Sequence, residues 1–258
     1  EALKDTALSE PLAFVLNGAL DVYERSGGAF DVTIGPLVNA WGFGPEIVTP
    51  PSEQDLAKAK ARIGSDKLSV DLQKRTLTRA QSGLYIDLSA IAKGYAVDAM
   101  GQAIEQAGHT QYLVEIGGEV RARGLGPKGR RWSVGIELPD GGEQDVSERL
   151  ALRDTSIATS GNYRNARTVD GKTVTHILDP RTGSPVSHGL GSVSVVHPSC
   201  MKADAYATAL YVLGATEGHA LAEREGLAAL FLTPGEKGAK PVRKTTSAYE
   251  ALSAPEPD

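Results

Sequence analysis

Apolar residues recur at helical spacing in residues 11–25, where Leu12, Val15, Leu16, Ala19 and Tyr23 share a face and Gly27-Gly28 stops the run. The segment that follows, GGAFDVTIGPLVNAWGFG, predicts an extended connection broken by Gly35-Pro36, Gly42 and Gly44. Loops this rich in glycine allow close backbone approach to a ligand, though a plain connection has the same composition. Ser52-Glu53-Gln54-Asp55 has the form of a capping box and predicts a helix to about residue 63, ended by Gly64. Residues 68–72 and 75–79 read as a hairpin, and 83–86 as a short strand. Asp87 leads into a helix through 107, closed by Gly108. Gly94 lies inside that helix, where it costs roughly 1 kcal/mol against alanine. It therefore marks close approach by another backbone, a ligand or a neighbouring helix.

From residue 112 the pattern changes to short strands, at 112–116, 120–124, 132–136 and 150–157, with loops at 126–131 and 139–143. Two more strands, around 174–178 and 192–197, precede helices over 199–213 and 216–225 and a strand at 228–232. Residues 234–258 are rich in Lys, Ser, Pro and Glu and predict a poorly ordered tail. Strands come in runs and outnumber helices. That predicts an α+β fold of mixed or antiparallel strands packed with several helices, a single large domain over residues 1–233.

Composition narrows the function classes. Of 258 residues, 41% are hydrophobic and 23% charged, ordinary for a globular chain. A net charge of -5 lacks the basic footprint of a nucleic-acid binder. No apolar run approaches the roughly 18 residues of a membrane span. The opening EALKDTALSEP has no signal-peptide character, which suits either a cytosolic protein or a mature chain without its leader. The single cysteine, Cys200, excludes an internal disulfide framework and a cysteine-based metal site, and reads as a packed bystander.

Five places can carry chemistry. Asp204 and Thr208, four apart in the first turns of a helix, project from one face and offer oxygen ligands suited to Mg2+ or Ca2+. The same pair also suits a helix start favoured by the dipole. His176, on a strand before an Asp-Pro-Arg-Thr-Gly turn, can be a general base at neutral pH or a structural histidine. Asp87 can cap its helix or accept hydrogen bonds from a heterocycle, while Lys93 can meet a phosphate as a point charge. Gly117-Gly118-Glu119 and Thr159-Ser160-Gly161-Asn162 each can bring backbone N–H groups toward an anion.

Taken together, GGAFDVTIGPLVNAWGFG, YIDLSAIAKGYAVD, YLVEIGGEVRARG with TSIATSGNYRN, and THILDPRTGSPV with MKADAYATALYVLG resemble the ApbE family of FAD:protein FMN transferases in order and spacing. The likeness runs from about residue 12 to 232. It implies Mg2+-dependent transfer of FMN from FAD to a threonine or serine hydroxyl of a bacterial flavoprotein acceptor, through a phosphoester bond and with release of AMP. It further implies that Asp204, Thr208 and the backbone carbonyl of Ala90 hold the metal and that His176 deprotonates the acceptor hydroxyl. Ala29, Phe30, Asp31, Asp87, Lys93 and Ile177 match the family's FAD-contacting positions.

The resemblance also implies a periplasmic setting with a lipid-anchored leader missing from this chain, and further residues before the first helix. Some relatives carry an acidic residue where this chain has Ala207. Two rival readings share the site: an FAD pyrophosphatase giving FMN and AMP, and a non-enzymatic FAD-binding protein.

Overall fold

Ser9 accepts a hydrogen bond from the Leu12 amide and opens α1, Glu10–Arg25, with Pro11 in its first turn. Its stripe of Ala13, Val15, Leu16, Ala19 and Val22 is buried. The computed structural model describes residues 5–44, 51–138, 146–161, 166–169, 172–235 and 239–253. By contact it divides into two compact units, residues 1–90 with 165–187 and residues 91–164 with 188–258.

In the first unit a short strand β1, Thr6–Ala7, precedes α1, and α2, Gly35–Ala40, follows it. The sequence predicts an extended segment there. Gly35-Pro36 instead starts a helix, because proline's fixed φ and missing N–H suit the first helical turn. The capping box of Ser52 and Asp55 forms as expected and opens α3, Glu53–Lys60. Strands β2, Leu68–Asp71, and β3, Thr76–Arg79, make the expected hairpin, with β1 pairing on the far side of β3. Residues 83–86 form no strand.

The chain then enters the second unit. Its first helix, α4, spans Ala92–Gln106 and so begins five residues after Asp87 rather than at it. Strands β4, Tyr112–Ile116, and β5, Glu119–Arg123, follow, then the ribbon β6, Trp132–Glu137, and β7, Val146–Leu152, and then β8, Thr155–Gly161. The single strand expected over 150–157 is thus two, split by a turn in which Asp154 takes φ 54. Side-chain polarity alone does not announce that left-handed turn. The loop expected at 139–143 and Asn162 lie outside the described residues.

Back in the first unit come β9, Ala166–Val169, β10, Lys172–Thr175, β11, Leu178–Asp179, and β12, Ser184–Pro185. The strand predicted over 174–178 is interrupted at His176, which sits at a bend. Leu178 joins Leu37, Ala59 and Ile63 in a small core. The Trp41 indole N–H donates to the Gly183 carbonyl at 3.0 Å and Lys60 to that of Thr182 at 3.3 Å, docking the Asp-Pro-Arg-Thr-Gly turn onto α2 and α3. Within the turn Arg181 forks onto the Asp179 carboxylate.

The second unit is completed by β13, Ser192–His197, α5, Cys200–Arg224, and β14, Ala228–Thr233. Gly214, at φ 76 and ψ -177, breaks α5 close to where the sequence predicts two helices to meet. Within the stretch expected as a poorly ordered tail stand β15, Val242–Thr245, and α6, Ser247–Ser253, while 236–238 and 254–258 lie outside the described residues. β15 pairs with β14, and Tyr249 of α6 is completely buried, which outweighs the polar composition around it.

The central sheet has strand order β15-β14-β13-β8-β5-β4, and every strand pair described in the protein is antiparallel, as the α+β reading expects. Alternation sorts its side chains onto two faces. Val120, Ala122 and Ile157 point into a core with Ile136, Leu152 and Tyr249. Glu119, Arg121 and Ser160 point the other way, toward α4 and α5.

Candidate functional site

On that second face α4 and α5 meet closely. A Cβ placed on Gly94 would lie 2.3 Å from the Cys200 carbonyl oxygen and 2.8 Å from the Met201 Cα, so only glycine permits the approach. This is the backbone crowding that the mid-helix glycine predicts. Neither helix start relies on a cap of its own alone. The Gly94 N–H donates to Asp204 Oδ2 of α5 at 3.0 Å, while Ile91 at the N-cap of α4 makes no side-chain cap bond. In return Asp98 of α4 accepts the Cys200 and Met201 N–H groups, each at 3.0 Å, together with the Ser199 hydroxyl and Arg121.

This reciprocal capping places a polar cluster. Lys93, one residue before Gly94, puts its ammonium 2.5 Å from Glu119 Oε1 and 3.6 Å from Asp204 Oδ1. One turn along α5 from Asp204, the Thr208 hydroxyl lies 3.0 Å from that of Ser160. Asp204 is 3% exposed and Glu119 2%. Burial pushes the Asp204 carboxyl above its usual range, opposed by the Lys93 charge and the Gly94 N–H. Burial likewise raises Glu119, the Lys93 hydrogen bond opposing it and the Asp204 charge adding to it.

Two buried carboxylates thus share one lysine, and Glu119 Oε2 is buried with no hydrogen-bond partner among the described residues. Carboxylate and hydroxyl oxygens with surplus negative charge fit a hard divalent cation. Among the described residues no group of three or more His, Cys, Asp or Glu side chains could hold a metal. A site completed by a threonine hydroxyl and a backbone carbonyl is of another kind and does not need one.

The structure therefore brings Lys93, Asp204 and Thr208 together in the second unit. Ala90 lies two residues ahead of α4, at the last position of the first unit's opening segment.

The remaining candidates belong to the first unit. Ala29 and Phe30 are buried. The Asp31 carboxylate is engaged by Thr33 through its N–H at 2.7 Å and hydroxyl at 2.6 Å, and by the Ser65 hydroxyl at 2.6 Å. That side chain braces the loop. Asp87 joins the same loop, its N–H donating to the Val32 carbonyl at 2.7 Å while its carboxylate accepts the Ser89 N–H at 2.9 Å. It closes a turn and does not cap α4. His176 is half-buried with its ring edge-on to Phe43 at 6.4 Å, and Ile177 beside it is buried.

Glu119 escapes the sequence reading as a side chain. The alternation Glu-Val-Arg-Ala-Arg after Gly117-Gly118 signals a polar strand face, which reads as solvent-exposed unless a helix is known to cover it.

Comparison with known proteins shows the family of the chain. The family model described as ApbE family matches residues 1–231. A Haemophilus influenzae protein named FAD:protein FMN transferase is 39% identical over 251 residues, 95% of this chain and 72% of that one. A Vibrio cholerae protein of the same name is 40% identical over 236 residues, covering 91% and 70%. Among solved structures, the flavin transferase ApbE from Vibrio cholerae superposes with TM-score 0.86 at 36% identity, covering 97% of this chain and 79% of that one. The apo flavinyl transferase ApbE of Pseudomonas stutzeri gives 0.85 at 38%, covering 97% and 77%. The chain belongs to the ApbE family.

Proposed function

We propose that this chain is an FAD:protein FMN transferase. It moves FMN from FAD to a threonine or serine hydroxyl of a flavoprotein acceptor. The acceptor oxygen forms a bond to the FMN phosphorus, the bond from that phosphorus to the AMP oxygen breaks, and AMP leaves. The acceptor's proton goes to the His176 imidazole, a half-buried group able to take it near neutral pH. The observation that carries the reading is the pair of buried carboxylates, Asp204 and Glu119, that share the single charge of Lys93, in a member of this family.

Asp204, Thr208 and the Ala90 carbonyl would hold Mg2+, which supplies charge neutralisation for the pyrophosphate and the departing AMP. Lys93 would meet a phosphate oxygen. The loop of Ala29, Phe30 and Asp31, with Asp87 and Ile177, would contact the rest of FAD. The setting proposed for the mature protein is the periplasm, where a lipid anchor would keep it at the membrane.

The test is intact-mass spectrometry of a flavoprotein acceptor after incubation with this chain, FAD and Mg2+. A gain of one FMN, mapped to a threonine or serine, is the expected result. AMP and free FMN without acceptor modification would make it an FAD pyrophosphatase. Tight FAD binding without turnover would make it a binding protein.

A further inference from the structure

We infer that Glu119 is a positioning residue, which holds Lys93 off Asp204 and so keeps an Asp204 oxygen available to a divalent cation. The inference rests on the reading of Asp204 as a metal-holding residue. The ammonium is 2.5 Å from Glu119 but 3.6 Å from Asp204 Oδ1, so Glu119 is its main partner. Asp204 Oδ2 is occupied by the Gly94 N–H, which leaves Oδ1 as the oxygen that lysine and cation would contest.

The surroundings are built to keep the lysine there. A Cβ on Gly117 would stand 3.3 Å from Lys93 Cδ and 3.6 Å from Glu119 Oε2. Gly117 and Gly118 take φ 63 and 100, so the β4–β5 turn brings bare backbone against the lysine stem. Fold stability does not account for Glu119. Its side chain is 3% exposed, and among the described residues one carboxylate oxygen has no hydrogen-bond partner, a combination that costs the folded state. With Glu119 replaced by glutamine, the nearest anion left to the ammonium among the described residues is Asp204.

The test titrates Mg2+ alone into the full chain by calorimetry, for the unaltered protein and for E119Q, K93M, E119Q/K93M and D204N. E119Q is expected to weaken Mg2+ binding by about tenfold, while in the K93M background the same change shifts it by less than about twofold. A direct ligand or a simple charge effect would weaken binding equally in both backgrounds, and that result overturns the inference. So does unchanged binding in E119Q. If D204N leaves Mg2+ binding unchanged, or the unaltered chain binds none, the metal reading itself fails and takes the inference with it. If D204N abolishes binding while E119Q has no effect, only the inference fails.

Discussion

Replacing Gly94 by alanine tests the helix junction on which the cluster stands. In an ordinary helix interior this change would stabilise by roughly 1 kcal/mol. Here the new Cβ would fall 2.3 Å from the Cys200 carbonyl oxygen, 2.7 Å from its carbon and 2.8 Å from the Met201 Cα. All three are backbone atoms, so no side-chain rotation relieves the overlap and the helices must part by about an ångström. Such overpacking costs about 1–3 kcal/mol. The parting also stretches the 3.0 Å bond from the Gly94 N–H to the buried Asp204 carboxylate, and a hydrogen bond to a charged group is worth about 1.5–3 kcal/mol.

Setting the propensity gain against these losses leaves a net destabilisation of about 3 kcal/mol, or roughly 6–12 °C in a chain of this size. Circular-dichroism melts of the unaltered and G94A proteins measure it directly. G101A, in the same helix, is the comparison: its Cβ would meet the ends of the Tyr112 and Arg121 side chains, at 2.6 and 2.9 Å, which can move aside. Its loss should be the smaller. A G94A protein that melts at or above the unaltered one would refute the close approach, because propensity alone would then be deciding the outcome.

Three further outcomes are expected. His176→Ala should bind FAD normally yet lose transfer by about 10²–10⁴-fold, read as FMN incorporated into the acceptor; retained flavinylation would deny it the role of base. Asp98→Ala should lower stability by about 3 kcal/mol, since it removes both N–H contacts at the start of α5 and the close partner of Arg121; unchanged denaturation would show those bonds contribute little. Burial holds His197 below its ordinary value of 6.5, with Lys202 adding to this and the Ser199 backbone and Asp98 opposing. The unfolded chain therefore takes up that proton first, so the contribution is complete above pH 6.5 and declines as pH falls through 6.5 toward the folded value. Urea midpoints between about pH 8 and 5 should show the decline, and His197→Gln should remove that part of it.

Much of this was legible in the sequence because the signals were local. The stripe of α1, the Ser52 box and the break near Gly214 each depend on a few adjacent residues whose chemistry has one common use. The pairing of Asp204 with Thr208 on one helical face follows from spacing alone. What was missed depends on distant partners or on one residue's dual character. Gly35-Pro36 breaks an extended run yet also starts a helix, and only the core made with Ala59 and Ile63 decides between them. Tyr249 orders a polar tail because an apolar face elsewhere in the chain receives it. Glu119 becomes part of the cluster because α4 covers its strand face, a fact that no local pattern carries.

Asp98 and Asp204 each belong to the helix that the other one caps. Freeing either helix therefore releases the Gly94, Cys200 and Met201 amides at once, leaving α5 the Ser199–Lys202 bond within its own first turn. The amides of Gly94, Cys200 and Met201 should in consequence exchange with solvent as one cooperative unit, at the rate of the larger opening that separates the two helices. The Asp204 carboxylate, set on such a junction, has its geometry fixed before any ligand arrives.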